Sequence, residues 1–211
     1  MTESGTKDLD LEGAVAALVA MISEPSVASS SIAALLDGLG ATLRPDVVRR
    51  LGPREQRALY DKSEGFAELH LIDLVPPNRA DLEEVRHLGR NTLPLFRIFE
   101  KRLCRLPGSA SEAPGTLAGY NFQTMSPITG PGYFLAVEDT KRGEVLVDYR
   151  KLPNQKPVDW PEIRSNEKGL ARFVYGFMVD RLRWVSEHVT IGSAARNDRE
   201  LGSYFILCRS D

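Results

Sequence analysis

The amino-acid sequence predicts an α+β fold, in which an N-terminal helical region packs with a C-terminal antiparallel sheet of two hairpins flanking one long helix. Apolar residues in the first half recur at helical spacing. In the second half, short segments rich in aromatic and β-branched residues are separated by polar turns. A wide apolar face over about 167–186 indicates a long helix lying on the sheet.

The helical region covers residues 1–106. Leu11 to Ile22 carries apolar residues at helical spacing, and Pro25 ends that segment. A second short helix follows, and two more begin at prolines, which suit the first turn of a helix. We expect the further helices of this region at residues 32–39, 46–51, 54–63, 79–89 and 95–103.

A basic cluster closes the last of these predicted helices. It consists of Lys101, Arg102 and Arg105, with Arg97 one turn earlier. Positive charges at the C-terminal end of a helix complement its dipole, so we interpret the cluster as a helix end. Residues 107–119 follow, rich in Pro, Gly and Ser, and are predicted to link the helical region to the second part of the chain.

The second part, residues 120–211, is predicted to be an α+β lobe that packs with the helices as one compact unit. Tyr133 to Glu138 and Glu144 to Tyr149 form the first predicted hairpin, since a short charged segment joins them. His188 to Ser193 and Ser203 to Arg209 form the second. Tyr120 to Met125 is predicted to add a fifth strand to the sheet.

Composition and charge bound the class of protein. The chain has 27 Lys and Arg against 29 Asp and Glu, and its net charge is −2. No global positive field exists, so we expect no nucleic-acid partner. No apolar run approaches the roughly 20 residues that span a bilayer, and the acidic N-terminus is unlike a signal peptide. These features predict a soluble cytoplasmic protein without a membrane-spanning helix.

Cysteine usage and motifs point away from a bound cofactor or metal. Cys104 and Cys208 lie far apart, so we expect two reduced, packed thiols. The chain has no dinucleotide-binding or phosphate-loop pattern. Glu84 and His87 have the spacing of one half of a di-iron site, but a second copy is missing from the sequence. The expectation is therefore a protein with neither cofactor nor metal.

The aromatic residues are distributed unevenly along the chain. Twelve of the sixteen follow Gly119, although charge is shared equally between the halves. Tyrosine and tryptophan carry polar tips, and a curved sheet closed by a helix often leaves an apolar cleft with a few polar groups at its mouth. The sequence therefore predicts a binding or regulatory protein without enzymatic activity, whose C-terminal cleft holds a small amphiphilic molecule. The candidate ligand-binding residues are Tyr120, Gln123, Tyr149, Trp160, Arg172 and Tyr175.

Two alternatives remain open at the level of sequence. The first is an enzyme in which His188 works with Asp148 or Asp180 in acid and base chemistry. The second is an adaptor, whose N-terminal helices present an apolar groove to a protein partner or to a second copy of the chain.

Overall fold

A computed structural model describes residues 9–123, 130–169, 171–197 and 199–210. It shows a closed antiparallel β-barrel of eight strands, with short helices outside it. The predicted α+β arrangement of two hairpins around a long helix is therefore wrong. Each strand pairs with the next along the chain, and β8 closes the barrel on β1. The strands are β1 Val85–Asn91, β2 Ile98–Arg105, β3 Leu117–Phe122, β4 Tyr133–Asp139, β5 Glu144–Asp148, β6 Met178–Ser186, β7 Val189–Arg196 and β8 Arg199–Ser210.

Four N-terminal helices cover one side of the barrel, as α1 Leu11–Ser23, α2 Ser29–Gly38, α3 Leu43–Val48 and α4 Pro53–Lys62. The Asp10 carboxylate accepts the Gly13 amide at 2.8 Å and caps α1, and Pro53 opens α4. The buried stripes of α1 to α4 form one apolar cluster with outward-facing residues of β6, β7 and β8, namely Val185, Val189, Ile191, Ile206 and Cys208. No helix in the described ranges is long and apolar enough to cross a membrane.

Three predicted helices are strands in the structure. Residues 79–89 and 95–103 contribute β1 and β2, so the basic cluster around Lys101 lies on a strand and not at a helix end. The predicted long helix over 167–186 contains only the short helix α6, Ala171–Val174, followed by β6. In β6, Met178 and Leu182 face the barrel interior and Val185 faces the N-terminal helices, so apolar residues on two opposite faces have the spacings of four and three that are typical of a helix.

Both predicted hairpins are confirmed as pairs of adjacent strands, β4 with β5 and β7 with β8. The second is longer than expected, because its strands extend to a tight turn after Arg196. The predicted fifth strand is β3, which begins at Leu117; Met125, at the predicted end, lies outside the described residues. Of the predicted linker 107–119, residues 107–116 lie in the connection between β2 and β3, and residues 117–119 begin β3. The role of this stretch as a linker stays a prediction.

The two ends of the barrel differ. At one end, the segment around α5, Leu71–Leu74, packs its leucines into the interior apolar cluster. Backbone carbonyls of this segment are hydrogen-bonded to the barrel. The Asp73 carbonyl accepts from the Arg209 guanidinium, and the Leu74 carbonyl lies 2.9 Å from the His87 ring nitrogen with which it is hydrogen-bonded. This end is thus closed. The opposite end is surrounded by the β1–β2, β3–β4, β5–β6 and β7–β8 connections.

Glycines make room for large rings inside the barrel. In the strand register, Gly89 faces Phe99, Gly119 faces Phe134 and Gly192 faces Phe205. A Cβ atom at Gly119 would lie 2.4 Å from the Phe134 ring, and one at Gly192 would lie 2.3 Å from the Phe205 ring. Each phenylalanine ring therefore packs on the backbone of a glycine in the neighbouring strand, and the absence of a side chain there lets three rings fit into a narrow interior.

We expect Gly119→Ala to destabilise the fold by about 1–3 kcal/mol, the usual cost of overpacking a core. The added methyl group would also lie 2.8 Å from the backbone oxygen of Arg102, which cannot move without disturbing β2. Gly115→Ala is the matched control, because no atom lies within 4 Å of a Cβ there. Urea unfolding checks both variants, and equal stability of the two would contradict this packing.

Candidate functional site

A cavity of about 410 Å³ opens at the end of the barrel opposite α5. Its walls include Phe99, Tyr175, Met178 and Phe205, and Leu95 and Phe96 lie at its mouth. The floor carries Lys101, Asn121, Tyr149 and Asp180. Eight-stranded barrels are just wide enough either to fill with side chains or to hold one small ligand. This barrel is filled at the closed end and hollow at the open end.

The floor is a hydrogen-bonded network of polar side chains from β2, β3 and β6 and from Tyr149, the residue after β5. The Lys101 ammonium donates to Asn121 Oδ1 at 3.1 Å, to Asp180 Oδ2 at 3.1 Å and to the Tyr149 hydroxyl. The Tyr149 hydroxyl donates to Asp180 Oδ2 at 3.1 Å and accepts the Asn121 amide at 2.9 Å. Lys101 and Asp180 are only 2% and 3% exposed. All three ammonium protons therefore have acceptors.

Four aromatic rings surround the Lys101 ammonium. Its nitrogen lies 4.9 Å from the ring centre of Phe205, 5.0 Å from Tyr149, 5.1 Å from Phe134 and 5.8 Å from Phe99. Within about 6 Å the negative face of an aromatic ring attracts a cation. The three phenylalanines are the ones that face glycines on neighbouring strands, so the glycines permit this enclosure.

Burial shifts both charged groups of the floor towards their neutral forms. It raises the pKa of the Asp180 carboxyl and lowers the pKa of the Lys101 ammonium, while their mutual attraction opposes both shifts. Burial also holds the pKa of Tyr149 well above its ordinary value, so its hydroxyl keeps the proton. The Lys101–Asp180 pair carries no net charge, because a proton passed from the ammonium to the carboxylate leaves the sum of their charges unchanged.

One polar atom of this network is unused. Among the described residues, Asp180 Oδ1 is buried and accepts no hydrogen bond, whereas Oδ2 accepts two. A buried acceptor without a donor costs about 1–3 kcal/mol, and more for a charged group. Asp180 also lines the cavity, so one acceptor atom of a cavity-lining carboxylate is left without a donor from the described residues.

The structure divides the sequence-predicted ligand-binding residues between two places. Gln123, Tyr149 and Tyr175 line the cavity; Tyr175 stacks on Tyr149 at 5.5 Å between ring centres and accepts the Gln123 amide at 2.7 Å. Tyr120 and Trp160 pack together on the outer face of the barrel, 4.8 Å apart. Arg172 lies on α6, its guanidinium 5.9 Å from the Phe177 ring. The roles of all six sequence-predicted residues in ligand binding stay predictions.

The residues of the enzyme alternative lie in separate places. His188 is in the β6–β7 turn at the closed end, 3.2 Å from Arg209 Nη2. Asp180 lies six residues before the end of β6, which at about 3.3 Å per residue puts it about 20 Å from that turn. Asp148 receives two hydrogen bonds from the Arg150 guanidinium. His188 therefore lies at the closed end of the barrel, and both aspartates lie towards the open end.

Sequence reasoning did not assign Lys101 or Asn121 to a site, and it considered Asp180 only as a partner of His188. A signal for Lys101 is present in β2, where Phe99, Lys101 and Leu103 alternate with residues facing outwards. Since every second residue of a strand faces the same side, Lys101 shares the inward face of β2 with Phe99 and Leu103.

In the ranges that the structure covers, no group of three or more His, Cys, Asp or Glu residues is arranged to hold a metal ion. No family model matches this chain, and neither curated proteins nor solved structures show a significant match to it. Function must therefore be inferred from the cavity itself.

Proposed function

We propose that the protein binds one small amphiphilic molecule inside the barrel, with a neutral, hydrogen-donating head group on the floor and an apolar tail towards the mouth. The observation that supports this most strongly is the unpartnered Asp180 Oδ1 atom at the base of a cavity of about 410 Å³. Ligand cavities commonly measure about 300–1,000 Å³ and combine apolar walls with a few placed polar groups.

The charges of the floor select the head group. The Lys101 nitrogen and the Asp180 oxygen lie only 3.1 Å apart, so a ligand head group at the floor is close to both. A carboxylate head would be repelled by Asp180, and an ammonium head would be repelled by Lys101. Either ion would also lose its hydration in an aromatic enclosure, which is costly without a dedicated counter-charge. An alcohol or primary amide avoids both costs and supplies the hydrogen that Asp180 Oδ1 lacks.

The walls select an unbranched or flat apolar body. Phe99 and Phe205 meet edge to face with ring centres 5.9 Å apart, and Tyr175 and Met178 lie on the other side of the cavity. Val174, Ala194 and Leu201 add aliphatic surface, and Leu95 and Phe96 extend it to the opening. The polar part of the lining includes Asn91, Gln123, Arg196 and Ser203. A chain of several methylenes would reach from the floor to this mouth.

Isothermal titration with n-octanol, n-octanoate and n-octylamine tests the proposal, because the three share one tail and differ in head charge. We expect n-octanol to bind with a Kd of roughly 10–200 µM, given typical affinities per atom of small ligands. Each charged analogue should bind at least about tenfold more weakly, because desolvating an ion costs more than 1.4 kcal/mol. Octanoate or octylamine binding as tightly as octanol, or no binding by any of them, would contradict the proposal.

A further inference from the structure

Exposed apolar side chains are concentrated around the open end of the barrel. Of the ten large hydrophobic residues that are exposed in the described part of the chain, eight lie at or near this end. They are Leu93, Leu95, Phe96, Ile98, Phe122, Val174, Phe177 and Leu201, which we call the apolar rim. Leu95 is 69% exposed. A concentration of this kind marks an interaction surface, whereas scattered single residues need no explanation.

Two rim phenylalanines have a strained backbone. Phe96 has a φ angle of 54° and Phe177 a φ angle of 61°, in the left-handed region that bulky residues rarely adopt. Neither conformation serves to bury its ring, because both side chains are exposed. Strain of this kind costs about 1–3 kcal/mol and clusters at functional sites. The fold thus presents aromatic rings at the opening although the strained backbone lowers its stability.

Arginines accompany the apolar rim. Three segments, 92–97, 171–177 and 196–202, carry six of the eight rim residues. They contain Arg97, Arg172, Arg196 and Arg199 against Asp198 and Glu200, so their net charge is +2 in a chain of net charge −2. Apolar side chains next to arginines suit a bilayer surface: the apolar groups enter the acyl region while the guanidinium groups stay at the headgroups. Each basic residue near an anionic surface contributes about a further fivefold in binding.

We propose that the apolar rim docks the open end of the barrel on the surface of an anionic lipid bilayer. The rim residues come from separate segments around an opening, namely loops and the ends of strands, so a flat protein surface would contact them and leave the mouth empty. Fluid acyl chains adapt to such a ring, and their apolar interior is where small amphiphiles concentrate. Docking in this orientation would place the cavity mouth against the bilayer, where a ligand could pass without crossing water.

Vesicle flotation tests the proposal with the full chain. The vesicles are pure phosphatidylcholine, or phosphatidylcholine with roughly 30% phosphatidylglycerol to give an anionic surface. The test variant is Ile98→Asp with Phe177→Asp, because neither of these exposed rim residues lines the cavity, and the control is Val158→Asp, because Val158 is 94% exposed but lies outside the rim. We expect wild type and control to float with anionic vesicles, and the rim variant to bind at least about tenfold more weakly.

Equal flotation of the rim variant and the control, no binding by the wild type, or equal binding to neutral and anionic vesicles would overturn the proposal. So would a wild-type dimer in solution that the rim variant abolishes, because the rim would then contact a second copy. The same proteins are titrated with n-octanol in the absence of lipid, where the rim variant should bind as the control does. Loss of docking is thereby distinguished from loss of ligand binding.

Discussion

Lys101→Met is expected to destabilise the protein by about 3–5 kcal/mol. The substitution removes the cation 3.1 Å from Asp180 and leaves a carboxylate that is only 3% exposed, without its counter-charge. Removing one partner of a buried ion pair typically costs this much stability, because the remaining charge keeps its desolvation penalty. Urea unfolding followed by the fluorescence of the two tryptophans measures the change.

The double variant Lys101→Met with Asp180→Leu should recover most or all of that loss, because well-packed apolar residues often replace a buried ion pair without cost. Recovery by the double variant distinguishes a buried charge pair from simple loss of packing at Lys101. If the double variant were as unstable as the sum of the two single variants, Lys101 and Asp180 would not be coupled inside the barrel.

The stability difference between the double variant and the wild type should also depend on pH. Burial raises the pKa of Asp180, so its contribution to stability is present below its ordinary pKa and is lost as pH rises. Burial lowers the pKa of Lys101, so its contribution is present above its ordinary pKa and is lost as pH falls. The wild type should therefore be least stable relative to the double variant near neutral pH, and should gain stability relative to it towards about pH 4 and about pH 10.4.

Ala194→Phe is expected to abolish detectable n-octanol binding, a loss of at least about a hundredfold if the cavity is the site. Ala194 lines the cavity and is paired with Asp180 in the strand register, so a phenyl ring there would occupy the space beside the carboxylate. The control is Val158→Phe, because Val158 is exposed and lies outside the cavity lining. Isothermal titration compares the two variants with the wild type.

The fold of Ala194→Phe should survive, because the ring would enter an existing cavity and not displace packed atoms. Its thermal unfolding should match that of the control within a few degrees. Octanol binding by a folded Ala194→Phe variant at wild-type affinity would show that the ligand binds elsewhere on the protein.

The hairpins could be predicted from the sequence, but the closed barrel could not. Strands β4 and β5 have β-branched and aromatic residues on both sides of a short polar turn, which is a local signal. β6 carries apolar residues on both faces, since the N-terminal helices cover its outer side and the core its inner side. Such a segment resembles a helix with a wide apolar face, and only the tertiary contacts decide between them.

The candidate site was accessible from the sequence in part. Polar-tipped aromatics after Gly119 led to Tyr149 and Tyr175, which line the cavity, but also to Trp160, which packs outside the barrel. The floor was missed because its charged pair joins Lys101 of β2 to Asp180 of β6, 79 residues apart. The barrel closes β8 on β1 and brings side chains of β2 and β6 together across its interior, and no local pattern reveals which residues then meet.

The position of a bound n-octanol molecule is the decisive observation, and a crystal structure with n-octanol brominated at its terminal carbon gives it. The expected result is a hydroxyl at about 2.5–3.0 Å from Asp180 Oδ1 and an anomalous bromine peak at the mouth, near Leu95 and Phe96. A bromine at the cavity floor, or a ligand bound only outside the barrel, would contradict recognition of the head group by the Lys101–Asp180 network.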